Sequence, residues 1–397
     1  MKTVITNVHL ILEDGILYDG ALWLENGIIG GYCAAKELQL QEDSLIINGG
    51  GKYLAPGFVD IHCHGGGGAR FDAEPAVAAK HFLAHGETTV LATIGHTLAY
   101  EPMKEAIARI RQLMKTPDGR NLGGIYMEGP FMNVKYGGDP RNNHWIGPID
   151  MEKAFDVVDT LGDALKVWAV APERAGVPEF VKAVHARKSD MVFACGHSEA
   201  APMQILPLKK YGMKLQTHST DATGTLPTAP GTRSCGPDEA CLYDPEFYAE
   251  VICDSMGIHV HPDMLRLILR IKGEDKVILI TDSTVHEPET KASKASIDLN
   301  FDEDGLLYGS KLTMDVACRN MMKHTGASLV ETFRVASYNP ARAVGLLDRG
   351  EIRVVLLNHG KEPQTVEHGE RVAQMLITPV LTPAYKEVAE LDDTARG

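Results

Sequence analysis

Eight short runs rich in Val, Ile and Thr, each followed by a longer stretch with helical spacing, constrain this chain more than any other feature. The runs are 58–62 (FVDIH), 88–93 (TTVLAT), 123–128 (GGIYME), 166–171 (KVWAVA), 191–196 (MVFACG), 214–218 (KLQTH), 249–254 (AEVICD) and 277–282 (VILITD). Strands that alternate with helices pair in parallel, because each helix carries the chain back across the sheet. Eight such units predict an α/β fold, a TIM-like (β/α)8 barrel over residues 56–345. An intervening stretch, EPMKEAIARIRQLMK, spaces Met103, Ile107, Ile110 and Met114 as one apolar helix face.

Residues 1–55 read differently. Strand-like runs there are broken by Asp14-Gly15, Asp19-Gly20 and Asn26-Gly27, residue pairs that tolerate the positive φ of tight hairpins. They predict a small β domain. Two more strand-like runs within 346–397, RVVLLN and RVAQMLI, are expected to complete it, so that the chain ends together build a small β-sandwich.

The net charge of -14 argues against nucleic-acid and membrane-surface partners, since both are polyanions. The opening MKTVITNVHL lacks the apolar core of a signal peptide, and a cytoplasmic location is expected. Seven cysteines with no C-x-x-C spacing fit reduced thiols, with Cys63, Cys195 and Cys253 packing as small apolar residues.

Polar residues gather where the runs end. His62 and His64 close the first, Glu128 the third, His197 the fifth, His218 the sixth and Asp282 the eighth. In a barrel these ends share one rim, and alternate residues of a strand share a face, so His62 and His64 can both point into the mouth. Imidazole and carboxylate are ligands that zinc-like divalent ions favour. A lone strand-end histidine is more often a hydrogen-bonded structural residue, but the set together predicts a metal centre. His81, His85, His96, His185 and His324 are read as structural or solvent-facing.

The stretches GFVDIHCHG, YMEGPFMN, ACGHSEA, QTHSTDA, GIHVHP and ILITDS resemble the ordered motifs of the amidohydrolase superfamily, most closely the N-acetylglucosamine-6-phosphate deacetylases, over residues 1 to about 350. The resemblance implies a divalent metal, zinc by expectation, held by Glu128, His197 and His218, with Asp282 as the proton-transfer carboxylate. His62 and His64 match a second metal position that some members fill, so one or two ions are expected. His259 matches a substrate-contacting histidine, and a homodimer is the expected assembly. The implied activity is hydrolysis of the acetamide of an amino-sugar phosphate, N-acetylglucosamine 6-phosphate first, with another N-acetyl amino sugar, such as N-acetylgalactosamine 6-phosphate, or another small amide as the alternative.

Three departures from the family pattern bear on substrate. The histidine expected after E-G-P-F is missing, and His144 is the candidate replacement from a shifted position. THSTDA stands where the family has Thr-His-Leu-Phe-Asn-Ala, so backbone donors at Asp221 and Ala222 remain while the Asp221 carboxylate adds negative charge; Arg233 is the candidate counter-charge. The tail, RGEIRVVLLNHGKEPQTVEHGERVAQMLI to ELDDTARG, resembles the later part of a trimeric dUTP pyrophosphatase without that family's earlier motifs, which leaves a nucleotide-binding or assembly role as a distant alternative.

Overall fold

The computed structural model describes residues 2–25, 28–137, 143–286 and 288–347. The tail, with its expected strands RVVLLN and RVAQMLI, lies outside the described residues, as does the Asn26-Gly27 turn.

The N-terminal segment forms a sheet of four strands, β1 (Lys2–Ile11), β2 (Ile16–Glu25), β3 (Ile28–Ala34) and β4 (Leu45–Leu54), ordered β3-β2-β1-β4. β1 runs antiparallel to β2 and parallel to β4. Ile5, Val8, Leu10, Leu22, Leu24 and Leu54 make its own apolar core. Asp14-Gly15 turns the chain as expected, with Leu12 N–H donating to the Gly15 carbonyl at 2.8 Å. Asp19-Gly20 does not. It lies inside β2, where the register slips between the Leu10–Leu17 and Val8–Gly20 pairs and Asp19 takes φ 48. The positive φ that Asp-Gly tolerates serves a bulge here, because the flanking runs are too short to be separate strands.

The barrel strands are β5 (Phe58–Cys63), β8 (Glu87–Gly95), β9 (Leu122–Glu128), β10 (Leu165–Val170), β11 (Val192–Cys195), β12 (Met213–Gln216), β13 (Tyr248–Ile252) and β14 (Val277–Ile280), with a short hairpin, β6 (Gly65–Gly66) and β7 (Ala69–Arg70), after the first. Neighbours pair in parallel from β5 through β8 to β14. Closure runs through the first and last strands: Asp282 N–H donates to the His62 carbonyl at 2.9 Å and His64 N–H to the Ser283 carbonyl at 2.7 Å. All eight predicted strands are present, each shifted by a residue or two.

The helices cover the barrel with the faces their spacing prescribes. Met103, Ile107 and Ile110 of helix Tyr100–Leu113 are buried, and Met114 packs partly buried just beyond it. Between barrel and helices, Trp168 stacks on Phe131 and meets Phe180 edge-on at 5.0 Å between ring centres. Cys63, Cys195 and Cys253 are buried free thiols.

One hairpin the sequence did not signal, β15 (Leu299–Phe301) and β16 (Leu307–Ser310), follows the last barrel strand. Its end steadies the rim: Ser310 N–H donates to the Asp282 carbonyl at 2.8 Å and Thr284 N–H to the Ser310 carbonyl at 2.9 Å. No helix among the described residues is long and apolar enough to cross a membrane.

Candidate metal centre and active site

Two donor groups stand side by side at the barrel mouth, Glu128 with His197 and His218, and His62 with His64 and Asp282. Glu128 ends β9 and His62 lies within β5, whereas His64, His197, His218 and Asp282 sit one or two residues beyond their strands. The residues past the strands are set by unusual backbone. His197, His218 and Asp282 take φ 48, 28 and 47, and Thr220 and Ala222 in the adjoining loop take 68 and 49. Positive φ at residues with a Cβ costs energy and persists only where surroundings impose it. Only two others among the described non-glycine residues share it, Asn7 and Asp19, so the strain concentrates at this rim.

The hydrogen bonds fix the tautomers. His197 Nδ1 lies 2.5 Å from the Tyr136 carbonyl oxygen, and His218 Nδ1 lies 3.1 Å from that of Asp221. A carbonyl only accepts, so both rings donate from Nδ1 and, in their neutral forms, present bare Nε2 lone pairs inward. Those two Nε2 atoms are 3.1 Å apart, and each faces Glu128 Oε1, at 2.9 Å from His197 and 3.1 Å from His218. Two lone pairs and a carboxylate converging at such distances repel unless a positive charge lies between them. The group therefore fits a divalent cation with imidazole and carboxylate ligands.

The second group has the same character. His62 Nδ1 is 3.4 Å from Glu250 Oε2, which again directs a bare Nε2 into the site, 3.4 Å from Glu128 Oε1 and 3.7 Å from Asp282 Oδ1. That Nε2 is buried without a hydrogen-bond partner. His64 Nε2 lies 3.0 Å from Glu128 Oε2 and 3.5 Å from Asp282 Oδ1. Glu128 thus turns Oε1 to His197, His218 and His62 and Oε2 to His64, and can serve both groups. Burial alone favours neutral His62, yet Glu128, Glu250 and Asp282 together hold its imidazolium form well above the usual range. Burial likewise opposes charge on Glu128, but His62, His197 and His64 hold it well below the usual range. His218 is pushed up to about 9 against burial, by Glu128 first and then by Asp221 and Asp282. The pocket asks for positive charge.

Several supports were invisible to sequence reading. Glu250, fully buried in β13, orients His62 and also accepts from Tyr126 Oη at 3.4 Å. Asp238 organises the loop after β12, accepting from Thr220 N–H at 2.8 Å, Thr223 Oγ1 at 2.7 Å and the Gln216 side-chain amide. Glu173 does the same for the loop after β11, through Ser198 Oγ at 2.7 Å, Glu199 N–H at 2.8 Å and Asn133 Nδ2 at 2.9 Å. A lone acid inside an apolar strand, as in AEVICD, was the available signal for Glu250. Nothing local marks Asp238 or Glu173, whose partners are brought together by loops.

The remaining predicted residues divide. His259 is buried near the rim, its Nδ1 3.2 Å from Asp254 Oδ2 and its Nε2 unpartnered. Asp221 and Ala222 lie in the loop that carries His218, and the Asp221 N–H is already used by the His218 carbonyl at 2.9 Å, so that donor is taken. Arg233 is turned outward, its side chain 74% exposed and paired at 2.5 Å with Glu239, in the first turn of the helix Pro237–Tyr243 that follows its loop. His144 is exposed and lines a cavity on the other side of the centre, with Arg70, His286 and Tyr308. Of the histidines set aside, His324 is buried with Nε2 2.9 Å from the Asp254 carbonyl.

A parallel eight-stranded barrel with two carboxylate–histidine donor groups at the ends of its strands defines a metal-dependent hydrolase. The chain belongs to the amidohydrolase family, whose model matches residues 53–354. A dUTPase model matches residues 345–397. The N-acetylglucosamine-6-phosphate deacetylase of Bacillus subtilis is 27% identical over 369 residues, covering 87% of this chain and 89% of the relative. The N-acetylgalactosamine-6-phosphate deacetylase of Escherichia coli O157:H7 is 26% identical, with 87% and 90% covered. Among solved structures, the N-acetylglucosamine-6-phosphate deacetylase of Pasteurella multocida aligns with TM-score 0.74 at 25% identity over 87% of this chain and 90% of that one. That of Thermotoga maritima aligns with TM-score 0.71 at 27% identity, covering 88% and 92%.

Proposed function

We propose that this chain hydrolyses the acetamide of N-acetylglucosamine 6-phosphate to glucosamine 6-phosphate and acetate. The observation that carries the reading is the pair of inward Nε2 lone pairs on Glu128, with Asp282 across the same mouth; the names of the relatives supply the substrate class. Glu128, His197 and His218 would hold the first ion, zinc by preference of the donor set, and His62, His64 and Asp282 fit a second. A divalent cation supplies Lewis acidity toward the amide carbonyl and lowers the pKa of water.

The protein groups do the rest. The Asp282 carboxylate accepts the proton from the attacking water and returns it to the amine nitrogen as the C–N bond breaks. The Asp282 backbone is held from both sides, by its N–H on the His62 carbonyl and by Ser310 N–H on its carbonyl. His259, fixed by Asp254, presents Nε2 as a donor or acceptor to the sugar. A cytoplasmic homodimer agrees with the acidic chain and the free cysteines.

The deciding assay measures acetate release from N-acetylglucosamine 6-phosphate, N-acetylgalactosamine 6-phosphate and their unphosphorylated forms after zinc loading. Turnover of an acetamido sugar is expected; loaded protein that releases acetate from none of the four would remove the reading.

A further inference from the structure

The sequence placed anion recognition on the side of the centre that carries Asp221 and Arg233. There, Arg233 is exposed and neutralised by Glu239, the Asp221 N–H is used internally, and the Asp221 carboxylate adds negative charge. On the opposite side, a cavity of about 540 Å³ is bounded by Gly68, Arg70, Thr97, His144, His286 and Tyr308, among others. Its walls continue directly from the donor groups. Gly68 follows His64 through the β6–β7 hairpin, Thr97 follows Gly95, which lies against the His64 ring, and Val285 follows Asp282.

Arg70 is held there in a fixed pose. Its Nε and Nη2 edge grips Asp72, with Nη2 3.0 Å from Oδ2 and Nε 3.2 Å from both oxygens, and Nη1 donates to Thr284 Oγ1 at 2.9 Å. These bonds use three of the five guanidinium N–H groups and leave donors on Nη1 and Nη2. The side chain is 22% exposed. A guanidinium pre-set by one carboxylate loses little freedom when a second oxyanion meets its remaining N–H groups. The Tyr308 and Thr97 hydroxyls and the His144 ring line the same space, while the His286 ring already donates from Nδ1 to the Pro288 carbonyl at 3.1 Å. Glu74 is also on the wall, and its carboxylate disfavours an anion close to it.

We propose that the Arg70 cavity is an oxyanion subsite of the substrate, an inference that rests on the acetamido-sugar reading. Phosphate on the sugar and carboxylate at the end of an acyl chain share the chemistry that Arg70 recognises.

The test compares zinc-loaded wild type with Arg70→Gln and Arg70→Lys on N-acetylglucosamine 6-phosphate, N-acetylglucosamine and N-succinylglucosamine. Arg70→Gln is expected to lower kcat/KM at least tenfold for a substrate that bears the anion, mostly through KM, while the neutral sugar is unaffected; Arg70→Lys, which keeps charge without the fork, falls between. A loss confined to the phosphorylated sugar names phosphate as the occupant, and one confined to the succinyl amide names carboxylate. Equal losses on all three substrates, or none on any, overturn the subsite. Calorimetric titration of inorganic phosphate and of succinate reads the same site without turnover: at least tenfold weaker binding of one of them to Arg70→Gln is expected, and unchanged binding of both overturns the subsite. Absence of hydrolysis with that binding difference intact would refute the deacetylase reading and leave the subsite standing.

Discussion

Asp282 carries the proton in the proposed reaction, and asparagine at that position keeps the size while accepting no proton at neutral pH. Asp282→Asn is expected to retain the ion at Glu128, His197 and His218 and to lose about 100- to 10,000-fold in kcat with little change in KM. Loss of metal in step with activity would make Asp282 a ligand only. A second residue-scale consequence lies in Asp254, which accepts from the backbone N–H groups of Met256, Ile258 and His259 and from the His259 ring. Burial raises its pKa, but these bonds hold it down at about 2, below the ordinary 3.8. The sign follows: its contribution to stability is fully present above 3.8 and is lost as pH falls through about 2. His259 is raised above 6.5 despite burial, by the Asp254 bond first, so its share is present below 6.5 and is lost as pH rises through the raised value. Asp254→Asn should cost about 1–3 kcal/mol near neutrality, and denaturant titrations should show the gap to wild type closing in acid. A gap independent of pH would mean that shape, not charge, holds this loop. Six of the residues on this rim were legible because each ends a strand-like run; the pairing of Arg233 with Glu239 was not, because spacing along a loop says nothing about which carboxylate captures a guanidinium.

The elements that position the centre are loops, and their geometry was the least legible part. Strand periodicity located every barrel strand, since buried parallel strands are nearly continuous apolar runs. The same reading took Asp19-Gly20 for a hairpin, because a bulge and a turn both call for positive φ. At the rim, the segment after β9 returns to place the Tyr136 carbonyl on His197, and Gly137 makes the next step at φ 83. A Cβ at Gly137 would stand 2.9 Å from His197 Nδ1, closer than real contacts allow. Gly137→Ala therefore meets both a left-handed backbone, unfavourable by about 1–2 kcal/mol for a residue with a side chain, and a ring that must turn away. Metal titration by calorimetry is expected to show at least tenfold weaker binding, with the barrel intact by circular dichroism. Unaltered affinity would mean that the Tyr136 carbonyl does not set the tautomer.

At the scale of the whole molecule, the donors of the centre come from β5 and β9 and from the segments after β5, β11, β12 and β14, and they span His62 to Asp282. The complete site therefore precedes the stretch 345–354 where the amidohydrolase and dUTPase matches overlap. A cation shared by strands so distant in sequence binds only the closed barrel, because the unfolded chain cannot assemble the set. Binding to the native state alone stabilises by about 4 kcal/mol when free metal exceeds its dissociation constant a thousandfold. In its absence the His197 and His218 lone pairs face each other at 3.1 Å across Glu128, and one ring must take up a proton or turn away. Chelation should accordingly lower the melting temperature by several degrees, and zinc should restore it. The His197→Ala variant should gain less on zinc addition than the wild type, since Glu128 and His218 alone hold the first ion poorly while His62, His64 and Asp282 remain. A melting temperature unmoved by chelation, with elemental analysis confirming that the metal has gone, would mean that the cluster is held by protons and the barrel's own hydrogen bonds, and the metal assignment would fall with it.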